Sequence, residues 1–157
     1  MYSDSPGQAL GLVNIANPRH PLPGGAVALG GEPTSVVVQG EMALVGVVTS
    51  KDKTKPDGHL AVVDLQAQKV VAQCPLNGQP DSLALSPDGQ FLAIAIENER
   101  DEDLRKGQLP QLPGGNLTIF NTAAQGVDCN SKRVVDLTGL ALVAPEDPEP
   151  EFVDINS

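Results

Sequence analysis

The sequence has few aromatic residues and no long apolar run. Its 157 residues include no tryptophan, one tyrosine and three phenylalanines. A membrane-spanning helix needs about 20 apolar residues in succession, and no stretch approaches that length. The first residues are polar, so we also expect no signal peptide at the start of this chain. The sequence therefore predicts no membrane span.

Basic residues are also scarce. Ten lysines and arginines stand against 20 aspartates and glutamates, which gives a formal net charge of −10. A chain with this charge repels phosphate backbones, so nucleic acid is not an expected partner. The hydrophobic fraction of 40% is too high for a fully disordered chain, and the sequence therefore predicts a folded domain.

Short apolar runs bounded by glycine, proline, asparagine or aspartate are typical of β-strands. No window of ten or more residues shows the 3.6-residue period of an amphipathic helix. The runs predict strands at Leu10–Ile15, Ala26–Leu29, Ser35–Val38, Met42–Thr49, Leu60–Leu65, Lys69–Leu76, Ser82–Leu85, Phe91–Glu97, Leu117–Asn121, Arg133–Leu137 and Phe152–Ile155.

Two of these elements repeat along the chain. The segment Gly31–Val38 (GEPTSVVV) recurs as Gly78–Leu85 (GQPDSLAL), and residues 149–155 (EPEFVDI) form a degenerate third copy. The segment Leu10–Ile15 (LGLVNI) recurs as Leu60–Leu65 (LAVVDL) and again from Leu117 (LTIFN). A repeating four-strand unit of roughly 40–57 residues is typical of a β-propeller blade.

We therefore predict an all-β fold, a partial β-propeller whose blades each have strands a to d from the central channel outward. One incomplete domain covers residues 1–157, with blade pieces at about 7–30, 31–77, 78–137 and 149–157. Two whole blades with flanking strands cannot close a ring, and their outermost strands have open edges. The expected partners are the remaining blades of a longer parent chain, or another copy of the chain that associates through these edges.

Longer segments resemble a known family. The segment Gly78–Gly89 (GQPDSLALSPDG), followed by Gly115–Asn121 (GNLTIFN), resembles YVTN-type propeller repeats. The run from Pro80 to Pro150, with the unusual phrase IENERDEDL, resembles the bacterial choice-of-anchor I proteins. These are large exported or surface-tethered β-propellers that are distantly phytase-like. The resemblance covers about the last hundred residues well. It implies an extracellular or cell-surface location and a larger parent protein, and it transfers no activity.

Acidic residues cluster in two predicted loops. One is the long connection between strands b and c of the third blade, and the other connects strand d to the next strand a. Both loops emerge on the same face of a propeller because successive strands alternate in direction. Calcium takes six to eight oxygen ligands, so we predict a Ca²⁺ site at this mouth of the channel. Its ligands would be Glu97, Glu99, Asp101, Asp103, Glu149 and Glu151. The alternative is a solvated acidic loop whose carboxylates pair with Arg100 and Arg105.

No catalytic constellation is evident. His20 and His59 have no cysteine or histidine at metal-ligand spacing, and His59 is predicted to be a surface strand residue. Ser82 and Ser86 belong to the repeat rather than to a nucleophile elbow. The basic run Lys51–Lys55 is predicted to be a solvated loop.

Two functions follow from these observations. The first is a non-catalytic binding or scaffold portion of an exported or cell-surface β-propeller protein. The alternative is a phosphoesterase of the phytase or alkaline-phosphatase type that uses the predicted Ca²⁺ site. In that hydrolase Arg100, Arg105 and Lys106 would hold the phosphate.

Two further expectations concern packing. Val36, Val38, Leu83 and Leu85 share one face of their inner strands and should be strongly buried. Cys74 lies near the end of an outer strand, and the Cys129 loop is predicted at the opposite face of the propeller. A strand of four or five residues separates these levels by roughly 13–17 Å, whereas a disulfide tolerates only about 4.4–6.8 Å between Cα atoms. We therefore expect two free thiols.

Overall fold

Twelve β-strands make up most of the described chain. The computed structural model describes residues 1–99, 101, 103–107 and 111–137. Two short 3₁₀ helices lie at Leu104–Gly107 and Cys129–Ser131. The strands are β1 (Tyr2–Asp4), β2 (Ala9–Asn14), β3 (Leu22–Ala28), β4 (Glu32–Gln39), β5 (Met42–Val48), β6 (Gly58–Asp64), β7 (Lys69–Pro75), β8 (Pro80–Leu85), β9 (Phe91–Ile96), β10 (Asn116–Ala123), β11 (Gly126–Val127) and β12 (Arg133–Asp136).

The strands form three antiparallel sheets in succession along the chain. The first sheet has the order β1-β2-β3, the second β4-β5-β6-β7, and the third β8-β9-β10-β12. The short strand β11 forms a hairpin with the end of β10. The second and third sheets each have the four antiparallel strands of a blade, and the succession of three such sheets confirms the predicted partial β-propeller.

The ten predicted strands that fall on described residues are all present, while the predicted strand Phe152–Ile155 lies outside them. The strands β1 and β11 were not predicted. The segment of β1 is Tyr-Ser-Asp and has no apolar alternation, and β11 has only two residues. Because β1 pairs with β2 as β5 pairs with β6, the first sheet has one strand more than the two predicted for its part of the chain, and its three strands correspond to b, c and d.

The second sheet is buried on both faces. Along β5, Ala43, Val45 and Val47 pack with Leu10, Val27 and Leu29 of the first sheet. The other face of this sheet packs with the third sheet in a second apolar cluster. Side chains on a strand alternate between the two faces, so the near-continuous apolar run of β5 fits a strand that lies between two neighbours. The second cluster contains Leu44, Leu60, Val62, Cys74, Leu76, Leu83, Leu92, Ile94, Ile96 and Phe120.

Gly46 allows the third sheet to approach the backbone of the second. A Cβ atom at this position would lie 2.8 Å from Cδ1 of Leu83 and 3.1 Å from Cβ of Pro80. The inner strand β8 therefore packs directly over β5. This contact lets the inner strand of the third sheet pack closely on the second sheet near the end of β5.

The predicted burial of the inner strands is confirmed in part. Leu83 is buried at 8% exposure, and Leu85 packs against the same cluster. Val36 packs with the first sheet, but Val38 is 48% exposed, so the prediction for Val38 is wrong. Among the described residues the first sheet has no inner strand equivalent to β4. Val38 and Leu85 occupy equivalent positions in the repeat. Leu85 has the inner strand β4 beside it, whereas Val38 has no inner strand of the first sheet to cover it.

The expectation of two free thiols is wrong. Cys74 and Cys129 form a disulfide with a Cα–Cα distance of 5.3 Å and a sequence separation of 55 residues. This bond joins the outer strand β7 of the second sheet to the connection between β10 and β12 of the third. It therefore links two adjacent blades covalently.

Two physical effects bring these cysteines together. Neighbouring strands twist by roughly 20–25°, so the outer strand of a four-stranded sheet is turned by about 60–75° from the inner one. The expected separation of the two cysteines into two levels holds only if all four strands run parallel to the channel. In addition, the hairpin of β10 and β11 lies against the second sheet, where a Cβ atom on Gly126 would be 2.7 Å from Val62. The Lys132 ammonium group donates a hydrogen bond to the Pro75 carbonyl at 3.1 Å.

Candidate functional site

A cleft of about 440 Å³ lies between the second and third sheets, at the end where the inner strands begin. Its walls come from four segments of the chain. These are the start of β4, the loop after β5, the start of β8 and the segment that follows β9. The lining residues are Glu32, Thr34, Val48, Ser50, Lys51, Asp52, Lys53, Gln79, Pro80, Asp81, Glu97 and Glu99.

The cleft carries an excess of negative charge. Five of its lining side chains are carboxylates, and two are lysine ammonium groups. All seven of these side chains are exposed to solvent. Opposite charges at such a site are screened by water and salt, so they add little to the stability of the fold. Their main effect is on the electrostatic potential of the cleft, which favours cationic groups.

Gln79 and Asn98 hold the wall that carries Glu97 and Glu99. The backbone amide of Glu97 donates to the Gln79 carbonyl at 3.0 Å, and the amide of Glu99 donates to Oε1 of Gln79 at 2.7 Å. The Gln79 amide donates to Oδ1 of Asn98, whose Nδ2 donates to the Pro113 and Gly114 carbonyls. Gln79 is buried at 8% exposure. The backbone positions of the two glutamates are therefore fixed, while their carboxylates reach solvent.

Thr34 fixes the floor of the cleft. Its hydroxyl donates to the Pro80 carbonyl at 2.8 Å and lies 3.3 Å from the Gly46 carbonyl. The bond to Pro80 connects the inner strand of the second sheet to that of the third, whereas Gly46 belongs to the second sheet itself. The Thr34 hydroxyl therefore joins the two sides of the cleft.

The lysine-bearing side is a loop closed by its own hydrogen bonds. The Thr49 amide donates to the Asp57 carbonyl, and the Asp57 amide donates to the Ser50 hydroxyl oxygen. The Asp52 carboxylate accepts bonds from the Thr54 amide and hydroxyl, both at 2.8 Å. These two bonds, the backbone one foremost, lower the pKa of Asp52. The loop was predicted to be solvated, and its lysines are exposed although they border the cleft.

The predicted calcium ligands do not all come to one place. Glu97 and Glu99 line the cleft, and Glu149 and Glu151 lie outside the described residues. The Asp101 carboxylate accepts the backbone amides of Asp103 and Leu104 and so caps the first 3₁₀ helix. Asp101 and Asp103 are not among the residues that line the cleft.

Within residues 1–99, 101, 103–107 and 111–137, no three histidine, cysteine, aspartate or glutamate side chains are grouped so that they could hold a metal ion. A calcium site that includes Glu149 and Glu151 stays a prediction. The described carboxylates suit a general electrostatic attraction of cations better than coordination of one metal ion by a preformed set of ligands.

Sequence reasoning missed Glu32 and Asp81 as cleft residues. Both lie in the repeated motif, where Glu32 precedes Pro33 and Asp81 follows Pro80. The inner strands begin at the same end where the connections after β5 and β9 emerge. The repeat alignment could therefore have placed them at this mouth.

His59 lies in β6 and takes no part in the cleft. It is half-buried, as expected of a surface strand residue, and its ring lies 3.2 Å from Nε2 of Gln73. Burial lowers the pKa of His59. The histidine therefore contributes to packing rather than to a metal site.

Successive antiparallel sheets that pack face to face are the architecture of a β-propeller, so the described chain is part of a protein of this class. The family follows from a family-model match. The choice-of-anchor I domain matches residues 2–144, most of the chain, and the chain belongs to this family. The match includes the N-terminal part, which lies outside the last hundred or so residues that carry the resemblance. Membership suggests a cell-surface anchoring or binding role.

Comparison with solved structures agrees with the fold. The chain is similar to a chain of Kuenenia stuttgartiensis hydrazine synthase, with 15% sequence identity and a TM-score of 0.51. The likeness covers 79% of this chain and 35% of the hydrazine synthase chain, so this chain spans about a third of that length. At this identity the likeness concerns the fold alone. The search of curated proteins found no match.

The described helices are all far too short to cross a membrane, and none of them is a candidate span.

Proposed function

We propose that the chain is a non-catalytic binding module of an exported, cell-surface β-propeller protein, and that it binds a cationic ligand in the cleft between the second and third sheets. The observation that carries the proposal is the cleft itself. It takes residues from four segments on two blades, and a buried glutamine fixes its acidic wall.

The size and charge of the cleft support this class of ligand. Ligand sites are commonly about 300–1,000 Å³, and the volume here is about 440 Å³. Most such sites are mainly apolar, whereas this one is lined by charged side chains. Charge of one sign in a concave surface raises the local concentration of ions of the opposite sign. A polyamine, a basic peptide segment or a divalent cation has the required chemistry.

The phosphoesterase alternative gains no support from the cleft. A phosphate group would meet five carboxylates there and only two lysines, Lys51 and Lys53. The two hydroxyl groups of the lining, those of Thr34 and Ser50, donate to backbone carbonyls and not to a carboxylate that could act as their base. These side chains therefore suit a non-catalytic binding site better than the active site of a phosphoesterase.

The test is a titration of the full chain with CaCl₂ and, separately, with a tetralysine peptide at low ionic strength. We expect at least one probe to bind, and we expect the double substitution Glu97→Gln and Glu99→Gln to weaken that binding about tenfold. Glu41→Gln is the matched control, because Glu41 is exposed in the turn between β4 and β5 and is absent from the cleft.

Failure of both probes to bind would contradict the cationic-ligand proposal, as would equal weakening by the cleft and control variants. Hydrolysis of p-nitrophenyl phosphate or phytate that requires Ca²⁺ and stops with a chelator would instead contradict the non-catalytic part.

A further inference from the structure

The charged groups of the cleft are divided between separate segments of the chain. Four of its carboxylates lie at the starts of the inner strands β4 and β8 or directly after β9. These are the carboxylates of Glu32, Asp81, Glu97 and Glu99. Both ammonium groups of the lining, those of Lys51 and Lys53, lie in the loop after β5. The cleft therefore has an anionic part and a cationic part rather than one evenly mixed surface.

Asp52 does not neutralise the cationic part, although it lies between the two lysines in the sequence. Its carboxylate accepts hydrogen bonds from the amide and the hydroxyl of Thr54, within its own loop. Across the described part of the chain, no carboxylate oxygen lies within 4.0 Å of the ammonium nitrogen of Lys51 or Lys53. These two lysines are therefore charged donors that the fold itself does not use.

Gln79 adds an unpartnered donor to the cleft that it lines. Its side chain is 8% exposed, and its Oε1 accepts the Glu99 amide at 2.7 Å, which fixes the orientation of the side-chain amide group. The Nε2 atom of Gln79 donates to no atom of the described residues. Within the same residues, the one fully buried side-chain atom without a partner is Oε1 of Gln39. Nε2 of Gln79 is therefore open to solvent in the cleft.

These donors require something that a purely cationic ligand lacks. The ammonium groups of Lys51 and Lys53 repel a cation, and an amide N–H needs an acceptor. An anionic oxygen would satisfy all three groups, because hydrogen bonds between charged donors and carboxylates are among the strongest in proteins. The acidic wall at Glu97 and Glu99 still requires a positive charge. A ligand that carries both charges therefore fits the cleft better than a cation alone.

We propose that the cleft binds a basic amino acid that has a free carboxylate, either as a single amino acid or as the C-terminal residue of a peptide. The cationic side chain of the ligand lies beside Glu97 and Glu99. The ligand carboxylate is attracted by Lys51 and Lys53 and accepts a hydrogen bond from Nε2 of Gln79. This inference rests on the proposed function, because it names the class of ligand for the same cleft.

The test is calorimetric titration of the full chain with arginine and, separately, with agmatine, at neutral pH and low ionic strength. Agmatine is arginine without its carboxylate, so it has the higher net positive charge, and a cleft that only attracts cations binds it more tightly. We expect arginine to bind about tenfold more tightly than agmatine, because only arginine can pair with the lysines and the glutamine. The peptide Gly-Gly-Arg then distinguishes the two sources of the ligand. Tighter binding than that of arginine indicates a peptide C-terminus, and weaker binding indicates a free amino acid.

The lysines are tested by the double substitution Lys51→Gln and Lys53→Gln. It should weaken the binding of arginine about tenfold and leave the binding of agmatine equal or tighter, because it removes attraction for the carboxylate and repulsion of the cation together. Lys55→Gln is the matched control. Lys55 is exposed in the same loop but does not line the cleft, so its replacement should leave the preference for arginine unchanged.

Agmatine that binds as tightly as arginine, or more tightly, would overturn this inference and leave the cationic-ligand proposal intact. Equal effects of the Lys51 and Lys53 double variant and of the Lys55 variant would also overturn the inference alone. The same holds if tetralysine or CaCl₂ binds and arginine does not. Failure of all of these probes to bind would overturn the proposed function together with the inference.

Discussion

Removal of the Cys74–Cys129 disulfide should destabilise the chain strongly. The bond closes a loop with a sequence separation of 55 residues. In the chain-entropy model, a loop of this length restricts the unfolded state by about 4 kcal/mol at 25 °C. For a domain of this size, each kcal/mol corresponds to roughly 2–4 °C in melting temperature. We therefore expect Cys129→Ala to melt about 8–16 °C below the wild type.

Cys129 is the better residue to replace, because it is half-buried. Cys74 is only 1% exposed and packs inside the apolar cluster, so its truncation would add the cost of a cavity. The assay is thermal unfolding followed by circular dichroism, with and without dithiothreitol. The reductant should lower the melting temperature of the wild type to near that of Cys129→Ala and leave the variant unchanged.

A thiol count under denaturing, non-reducing conditions gives the direct check of the bond. The wild type should show no reactive thiol, and Cys129→Ala should show one. Two reactive thiols in the wild type, or an equal response of both proteins to the reductant, would refute the assignment of the bond and the geometry that explains it.

Two further predictions concern packing and pH. Leu83→Ala should lower the free energy of unfolding by about 2–5 kcal/mol in urea denaturation, because Leu83 is buried between two sheets. The control Leu22→Ala, at a 61% exposed position, should change the free energy of unfolding by about 0.5 kcal/mol or less. Similar losses in both variants would contradict the inter-sheet core. Burial lowers the pKa of His59 below its usual 6.5, so the unfolded chain takes up this proton more readily and stability falls as the pH drops below about 6.5. His59→Gln should lose less stability than the wild type between pH 7.5 and 5.5, and equal losses would count against this role.

The strand pattern could be predicted because each strand carries its own signal. Apolar runs bounded by turn residues occur in every sheet, and the repeat at Gly31 and Gly78 indicates equivalent positions in successive blades. Strand β1 lacked such a signal. It forms because its backbone pairs with β2, from Tyr2 opposite Gly11 to Asp4 opposite Ala9. A partner strand that supplies hydrogen bonds can therefore recruit a polar segment that has little strand propensity of its own.

Contacts between sheets could not be predicted in the same way. The disulfide depends on how far the outer strand of a sheet is rotated relative to the inner strand. This rotation is the sum of the twists between three pairs of neighbouring strands, and the sequence pattern does not give its size. The cleft likewise depends on how the two sheets pack together, because Glu32 and Asp81 belong to different sheets. Of the acidic cleft residues, only Glu97 and Glu99 belong to an acidic cluster that the sequence shows locally. Residues that become neighbours through packing have no common sequence signal unless a repeat aligns them.

The interface between the second and third sheets is held at both of its edges. At the outer edge the disulfide joins β7 to the connection after β10. At the inner edge the Thr34 and Ser35 hydroxyls bond to the backbone of β8. An apolar cluster fills the space between these edges. Since the cleft takes its walls from both sheets, a ligand there meets side chains whose backbone is already ordered. Binding to a preorganised site loses less conformational entropy, so the features that stabilise this interface also favour affinity in the cleft.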